Sequence, residues 1–263
     1  MSQAVTYDSL EEMGLLYDHV DDYNERADVA FYVEEVVRGG GRVLELACGT
    51  GRILLPIARA GLQIVGVDRS AQMLERCRAK VSAEVPAVRE RIALRASDMC
   101  DLHLDEAFDS VIIPFRPLQH LMTIDEQLAC FDGVRRHLSA GGRLIFDVFN
   151  PDLGRIASPS NKEWEDTPET TLPDGRRFRR GGRLAAVHRL DQINDVELIY
   201  YVTRAGEPTE RRVHAFRMRW FLRQELEHLL ARAGFVIDAL YGDFARTPLA
   251  DTSPEIVVVA RTR

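Results

Sequence analysis

Only four cysteines occur in the 263 residues (Cys48, Cys77, Cys100 and Cys130), and no two stand as C-x-x-C. Neither a zinc site nor a disulfide framework is indicated, so the thiols read as reduced and the expected compartment is cytoplasmic. The chain lacks any apolar run of about eighteen residues and any signal-peptide pattern, so no membrane association is expected. Positive charge is also short: Lys and Arg total 34 against 41 Asp and Glu, a net charge of −7. A general nucleic-acid binder needs a basic face for phosphates, so nucleic acid is not an expected partner. An Asp-Asp-Asn set at metal-ligand spacing is missing too, which leaves a metal-assisted mechanism without support. What is present, 46% hydrophobic and 29% charged residues, describes an ordinary globular chain with ample core.

One further absence lies in the stretch around which the chain is organised. Val43, Leu44 and Leu46 form a short apolar run suited to a buried parallel strand, Gly49-Thr50-Gly51 makes a turn, and Ile53 to Ala60 reads as a helix closed by Gly61. Glycines let backbone approach a ligand, and the helix N-terminus favours an anionic or hydrogen-bond-accepting group, so a nucleotide-like cofactor is expected here. The dinucleotide fingerprint G-x-G-x-x-G needs a third glycine, and that place holds Leu54. Glu45, on the strand before the turn, would repel a pyrophosphate but suit a cationic or hydroxyl-rich ligand.

Strand and helix then alternate. Leu62–Val67 is a strand ending in Asp68, and Ser70 caps a helix carrying Met73, Leu74, Cys77 and Val81. An acid at that strand tip can accept hydrogen bonds from two ribose hydroxyls, or be a second cap beside Ser70. Ile92–Ala96 leads to Asp98 and Met99, and Asp109–Pro114 leads to Phe115, Arg116 and His120. Thr123 and Glu126 form a capping box for a helix with Ile124, Leu128, Phe131, Val134 and Leu138 inward, stopped by Gly141-Gly142; Arg143–Val148 is the fifth strand. Such alternation predicts a parallel, doubly wound sheet.

The stretch Glu45-x-x-x-Gly49-x-Gly51 resembles motif I of the class I S-adenosylmethionine-dependent methyltransferases, small-molecule type. The resemblance implies an α/β, Rossmann-like seven-stranded sheet that uses S-adenosyl-L-methionine, releases S-adenosyl-L-homocysteine and methylates an N, O or S atom of a small-molecule acceptor. It implies cofactor contacts from Tyr17, Tyr23 and Arg26 of an N-terminal cap, from Glu45, Ala47, Gly49, Gly51 and Arg52 at the turn, from Asp68, Arg69 and Met73 after the second strand, and from Asp98, Met99 and Pro114. The cap region also holds Tyr7, and its helix is expected to bury Val29, Val33, Val36 and Val37. Two other readings stay open: an NAD(P)-dependent oxidoreductase, disfavoured by Leu54 and Glu45, and a cofactor-binding scaffold without turnover.

After the fifth strand the pattern changes. Residues 151–175 read as loop, and Leu184–Leu190, Val196–Thr203 and Arg211–Trp220 alternate like an antiparallel β ribbon inserted after strand five. The expected domains are thus 1–40, a helical cap; 41–150, the α/β core; 151–220, an inserted β lid that supports a homodimer; and 221–263, a helix and strand pair completing the sheet. Arg176, Arg177, Arg179, Arg180 and Arg183 read as a solvated hairpin, with an RNA or acidic-substrate contact as the alternative. His120 is the expected catalytic base, since an imidazole can take a proton near neutral pH, with a helix start as its structural alternative. Phe115, Arg116, Phe149, Asn150, Tyr200, Arg217 and Arg219 are the expected acceptor contacts, the last two on one basic face of their strand.

Overall fold

The computed structural model describes residues 13–20, 23 and 26–263, so Tyr7 lies outside the described residues. Two compact units emerge: Ala27–Pro151 with Trp220–Arg263, and Asp152–Arg219 with the described residues up to Arg26. The first contains α1 (Asp28–Gly39), β1 (Arg42–Leu46), α2 (Leu54–Arg59), β2 (Gln63–Asp68), α3 (Ala71–Ser82), α4 (Pro86–Arg89), β3 (Ile92–Ala96), β4 (Phe108–Ile113), α5 (Ile124–His137) and β5 (Leu138–Phe149). The chain passes through β6 (Trp164–Thr171), β7 (Arg177–His188), β8 (Ile193–Thr203) and β9 (Glu210–Arg219), then returns for α6 (Arg223–Arg232), β10 (Phe235–Tyr241) and β11 (Glu255–Thr262).

The first unit holds a seven-stranded sheet of order β10-β11-β5-β4-β1-β2-β3. Strands β1 to β5 pair in parallel, while β11 runs antiparallel to both β5 and β10. Alternation along each strand divides its side chains between two cores. Leu44, Leu46, Val111 and Ile113 join Phe131 and Val134 of α5 and Leu226 of α6, whereas Val43, Ile64 and Ile112 join Phe31 and Tyr32 of α1, Leu54 of α2 and Leu74 of α3. The helices following β1 and β2 therefore cover one face and the helix following β4 the other. The faces switch between β1 and β4, and in an open α/β sheet a ligand crevice forms beyond the strand C-termini at that place.

Several local expectations are met by named bonds. Ser70 accepts from the Met73 N–H at 3.2 Å, and Thr123 with Glu126 makes the reciprocal capping box. Others need correction. The buried face of α1 is Asp28, Phe31, Tyr32, Glu35 and Val36, and Val37 is 49% exposed. Ile124, the first residue of α5, is exposed rather than inward. That helix stops at His137, before Gly141, and the strand begins at Leu138.

In the second unit the ribbon has four antiparallel strands in the order β6-β7-β8-β9. Residues 151–175 are not all loop: they contain a short helix, Leu153–Ala157, and the edge strand β6. Pro168 disguised β6. Proline is tolerated on an edge strand, and the register slips between Thr167 and Thr170, on either side of it. The arginine cluster is not uniformly solvated either. With period two along the chain, Arg176, Phe178 and Arg180 are buried, while Arg177 and Arg179 point outward.

Candidate cofactor and methyl-transfer site

Backbone conformation builds the centre of the site. Ala47, Gly49 and Gly51 follow β1 with φ of 54°, 54° and 84°, in the left-handed region. The Gly51 N–H closes onto the Cys48 carbonyl at 2.9 Å, and the Leu55 N–H onto the Gly51 carbonyl at 3.1 Å, starting α2. A Cβ on Gly51 would lie 2.7 Å from the Cys77 sulfur, so that glycine is required for packing. A Cβ on Gly49 would meet nothing within 4 Å. The backbone there faces open space that a ligand can fill.

Carboxylates surround this turn. Glu45 is 2% exposed on β1, and its Oε2 has no hydrogen-bond partner among the described residues. Burial drives its pKa well above the ordinary value; Arg52 opposes the shift, and the charges of Asp68 and Asp28 add to it. Burial, with Glu45 and Asp68 nearby, likewise holds the Cys48 thiol protonated. Asp68, at the β2 tip, accepts from the Gly49 N–H on Oδ2 and the Ser70 N–H on Oδ1, each at 2.8 Å. It thus fixes both the glycine turn and the start of α3. At the end of β3, Asp98 accepts from the Cys100 N–H at 2.9 Å, lies 3.8 Å from the Arg69 guanidinium and is 44% exposed. Met73 is buried beside Ser70, and Met99 packs half-buried against the core.

Across the switch point from the glycine turn stands the turn after β4, since β4 pairs beside β1. Phe115 and Arg116 have φ of 68° and 71°, an unfavourable conformation for residues with a Cβ that costs about 1–3 kcal/mol each. A hydrogen bond and a ring contact are among those that hold Phe115. Its N–H donates to Asp147 Oδ1 at 2.7 Å, an oxygen that also accepts from the Tyr32 hydroxyl at 2.6 Å. Its ring lies 4.7 Å from the guanidinium of Arg52, which in turn makes a buried bidentate pair with Asp28, both bonds 2.7 Å. A charge-assisted hydrogen bond contributes roughly 1.5–3 kcal/mol, the same scale as the strain it opposes. Arg52, expected at the cofactor, therefore joins the glycine turn, α1 and the β4 turn.

Pro114 is buried between β4 and Phe115. His120 is half-buried and ends the 3-10 turn Pro117–His120, while the next helix begins at Ile124, so it does not start a helix; Leu118 and Leu121 beside it are buried. Arg116 pairs with Glu255 and lies 5.7 Å over the Phe149 ring, and Asn150 donates to the Ser253 carbonyl at 2.9 Å. The sequence reading passed over Asp28, Tyr32 and Asp147. Asp147 left a signal, an acid inside the apolar run Leu144-Ile-Phe-Asp-Val148, because a fully buried carboxylate needs partners.

The remaining expected contacts belong to the unit of the inserted sheet. Tyr17 and Tyr23 have ring centroids 4.9 Å apart, and the Tyr23 hydroxyl accepts from Arg180 at 2.7 Å. Arg26 is half-buried. Tyr200 is buried beside Arg180, and burial raises its phenol well above the usual value. Arg217 and Arg219 do not form one open basic face: Arg217 is exposed and pairs with Asp195 at 3.1 Å, whereas Arg219 is buried at the strand end with Gln192 at 3.3 Å.

A family model described as a methyltransferase domain matches residues 43–142, which contain the turn and all five parallel strands up to the start of β5. Among curated proteins, the putative methyltransferase YqeM of Bacillus subtilis strain 168 is 29% identical over 225 residues, 82% of each chain. The cypemycin N-terminal methyltransferase of a Streptomyces species is 26% identical over 221 residues, 84% of this chain and 82% of that one. Among solved structures, the CcbJ methyltransferase of Streptomyces caelestis aligns with a TM-score of 0.75 at 25% identity, covering 92% of this chain and 95% of the other.

Proposed function

We propose that this chain, which belongs to the class I S-adenosylmethionine-dependent methyltransferases, methylates an amine nitrogen of a small-molecule acceptor. The observation that carries the cofactor half is the buried Glu45, with Oε2 unpartnered beside the open, left-handed Gly49. A buried acceptor of this kind calls for a ligand that donates to it. S-adenosylmethionine, when bound, supplies a methyl group made electrophilic by its sulfonium charge. The turn residues Gly49 and Gly51 approach it by backbone, Glu45 and Asp68 accept from its donor groups, and Asp98 with Met99 takes the adenine. Tyr17, Tyr23 and Arg26 are proposed as cofactor-binding residues of the other unit.

The acceptor half rests on chemistry and on the relatives. Transfer needs a nucleophilic atom held in line about 3 Å from the methyl, so the protein's task is positioning. The cypemycin relative is by its name an N-terminal methyltransferase, and the N-terminus of a peptide carries an amine. A neutral amine attacks a sulfonium without further activation, but it arrives as an ammonium that must lose a proton. His120 is our choice for the group that takes it. Phe115, Arg116, Phe149 and Asn150 are the proposed acceptor contacts of this unit, and Tyr200, Arg217 and Arg219 are proposed as acceptor-binding residues of the inserted-sheet unit. The edge strands β6 and β9 suggest association of two copies, which sedimentation would test. A cytoplasmic location accords with the thiols read as reduced.

The test is a panel of primary and secondary amines, alcohols and thiols, with mass spectrometry for a gain of one methyl and for S-adenosylhomocysteine. Methylated amines alone support the proposal. Methylated alcohols or thiols in their place contradict the nitrogen assignment while leaving the transferase intact.

A further inference from the structure

Pro114 stands where β4 would continue its ladder to β5, and it has no N–H. The next donor along the chain, the Phe115 N–H, is taken by the Asp147 side chain at 2.7 Å, and the Tyr32 hydroxyl reaches the same oxygen at 2.6 Å. Phe115 is thus held at φ 68° by one fully buried carboxylate on β5, and its ring is held by the Arg52–Asp28 pair, from the glycine turn after β1 and from α1. The turn lies at the switch point between β1 and β4, where a bound ligand meets it.

We infer that Asp147 is a positioning residue: it holds the Phe115 turn in its left-handed form and so sets the wall that faces the transferable methyl group. The inference rests on the placement of Phe115 at the acceptor side proposed above. A turn without this hydrogen bond relaxes toward ordinary φ, carrying the Phe115 ring off Arg52 and opening the wall. In that change the cofactor end proposed at Gly49 and Asp68 keeps its own braces, the hydrogen bonds of the Gly49 and Ser70 N–H groups to Asp68.

Two ligands separate the ends of the site. S-adenosylhomocysteine lacks the methyl, and sinefungin carries an amine-bearing carbon in place of the methylated sulfur, so the ratio of their dissociation constants reports on the wall. Calorimetry should show that Asp147→Ala changes this ratio at least about tenfold, since a displacement of about 1 Å at a reacting centre is felt on a hundredfold scale. S-adenosylhomocysteine affinity should stay within about threefold of the parent. Asp147→Asn keeps an acceptor for the Phe115 N–H and should restore the ratio. Phe115→Gly tolerates positive φ, so adding Asp147→Ala to it should change the ratio no further. If Asp147→Ala does not fold, Tyr32→Phe decides, with a smaller shift in the same direction expected. An unchanged ratio in a folded Asp147→Ala protein, or additivity with Phe115→Gly, overturns the inference. Failure of the parent to bind either ligand would instead remove the reading on which the inference rests.

Discussion

Replacing Glu45 with glutamine should move stability and cofactor binding in opposite directions. Glu45 is 2% exposed, burial has raised its pKa, and Oε2 has no partner among the described residues. For an acid with a raised folded-state pKa, the stability contribution is full below the unfolded value of 4.5 and is lost as pH rises through the folded value. Glutamine has the same shape and no charge to desolvate. The Glu45→Gln protein should therefore melt at or above the parent temperature near neutral pH, with the margin growing as pH increases. Binding should weaken, because one acceptor oxygen becomes an N–H₂ donor facing the ligand's donors. A charge-assisted hydrogen bond is worth about 1.5–3 kcal/mol, or roughly ten- to a hundredfold in dissociation constant. Differential scanning fluorimetry across pH, paired with calorimetric titration of S-adenosylhomocysteine, reads both. A variant that binds as tightly as the parent, or is less stable at pH 8, refutes the role given to the buried carboxylate.

Asp68→Ala should lose about 2 kcal/mol of S-adenosylhomocysteine affinity, and hydrogen exchange should quicken at Gly49 and Ser70, whose N–H groups Asp68 accepts; unchanged exchange would show that the bracing is dispensable. Gly49→Ala meets open space at φ 54°, so melting should drop by only about 1–2 kcal/mol in stability while cofactor binding falls well below detection of the parent's titration range; intact binding would place the ligand elsewhere. His214 is buried, and desolvation lowers its pKa from 6.5 to about 4. Its contribution is present above 6.5 and lost as pH falls through about 4, up to about 3 kcal/mol. Chemical denaturation of the parent and of His214→Phe at pH 4 and 7 should show the variant with the flatter dependence, and parallel slopes would contradict the assignment.

The features legible in the sequence are those made by neighbours in the chain. The glycine turn, the Ser70 cap and the Thr123–Glu126 box need only a few consecutive residues, and they are found as expected. The parallel, doubly wound character of the sheet followed from alternation of strand and helix. What escaped was decided across the fold. Glu35 and Asp28 lie on the buried side of α1 because Arg246 and Arg52 reach them from distant segments, and valine spacing carries no sign of that. Arg180 is buried because Asp166, Tyr23 and Tyr200 surround it, so a run of arginines looked solvated. β6 was hidden by Pro168 and a polar composition that only an edge strand accepts. Phe115 gave no warning of its positive φ, which depends on Asp147, 32 residues away.

The most direct test of the central claim is calorimetric titration of the intact protein, side by side, with S-adenosylhomocysteine, S-adenosylmethionine and NADPH. Saturable binding of the two sulfur ligands at one site per chain, lost together in Gly49→Ala, with no heat from NADPH, is the predicted result. Binding of NADPH without S-adenosylhomocysteine would contradict the assignment of the Glu45–Gly49–Asp68 turn.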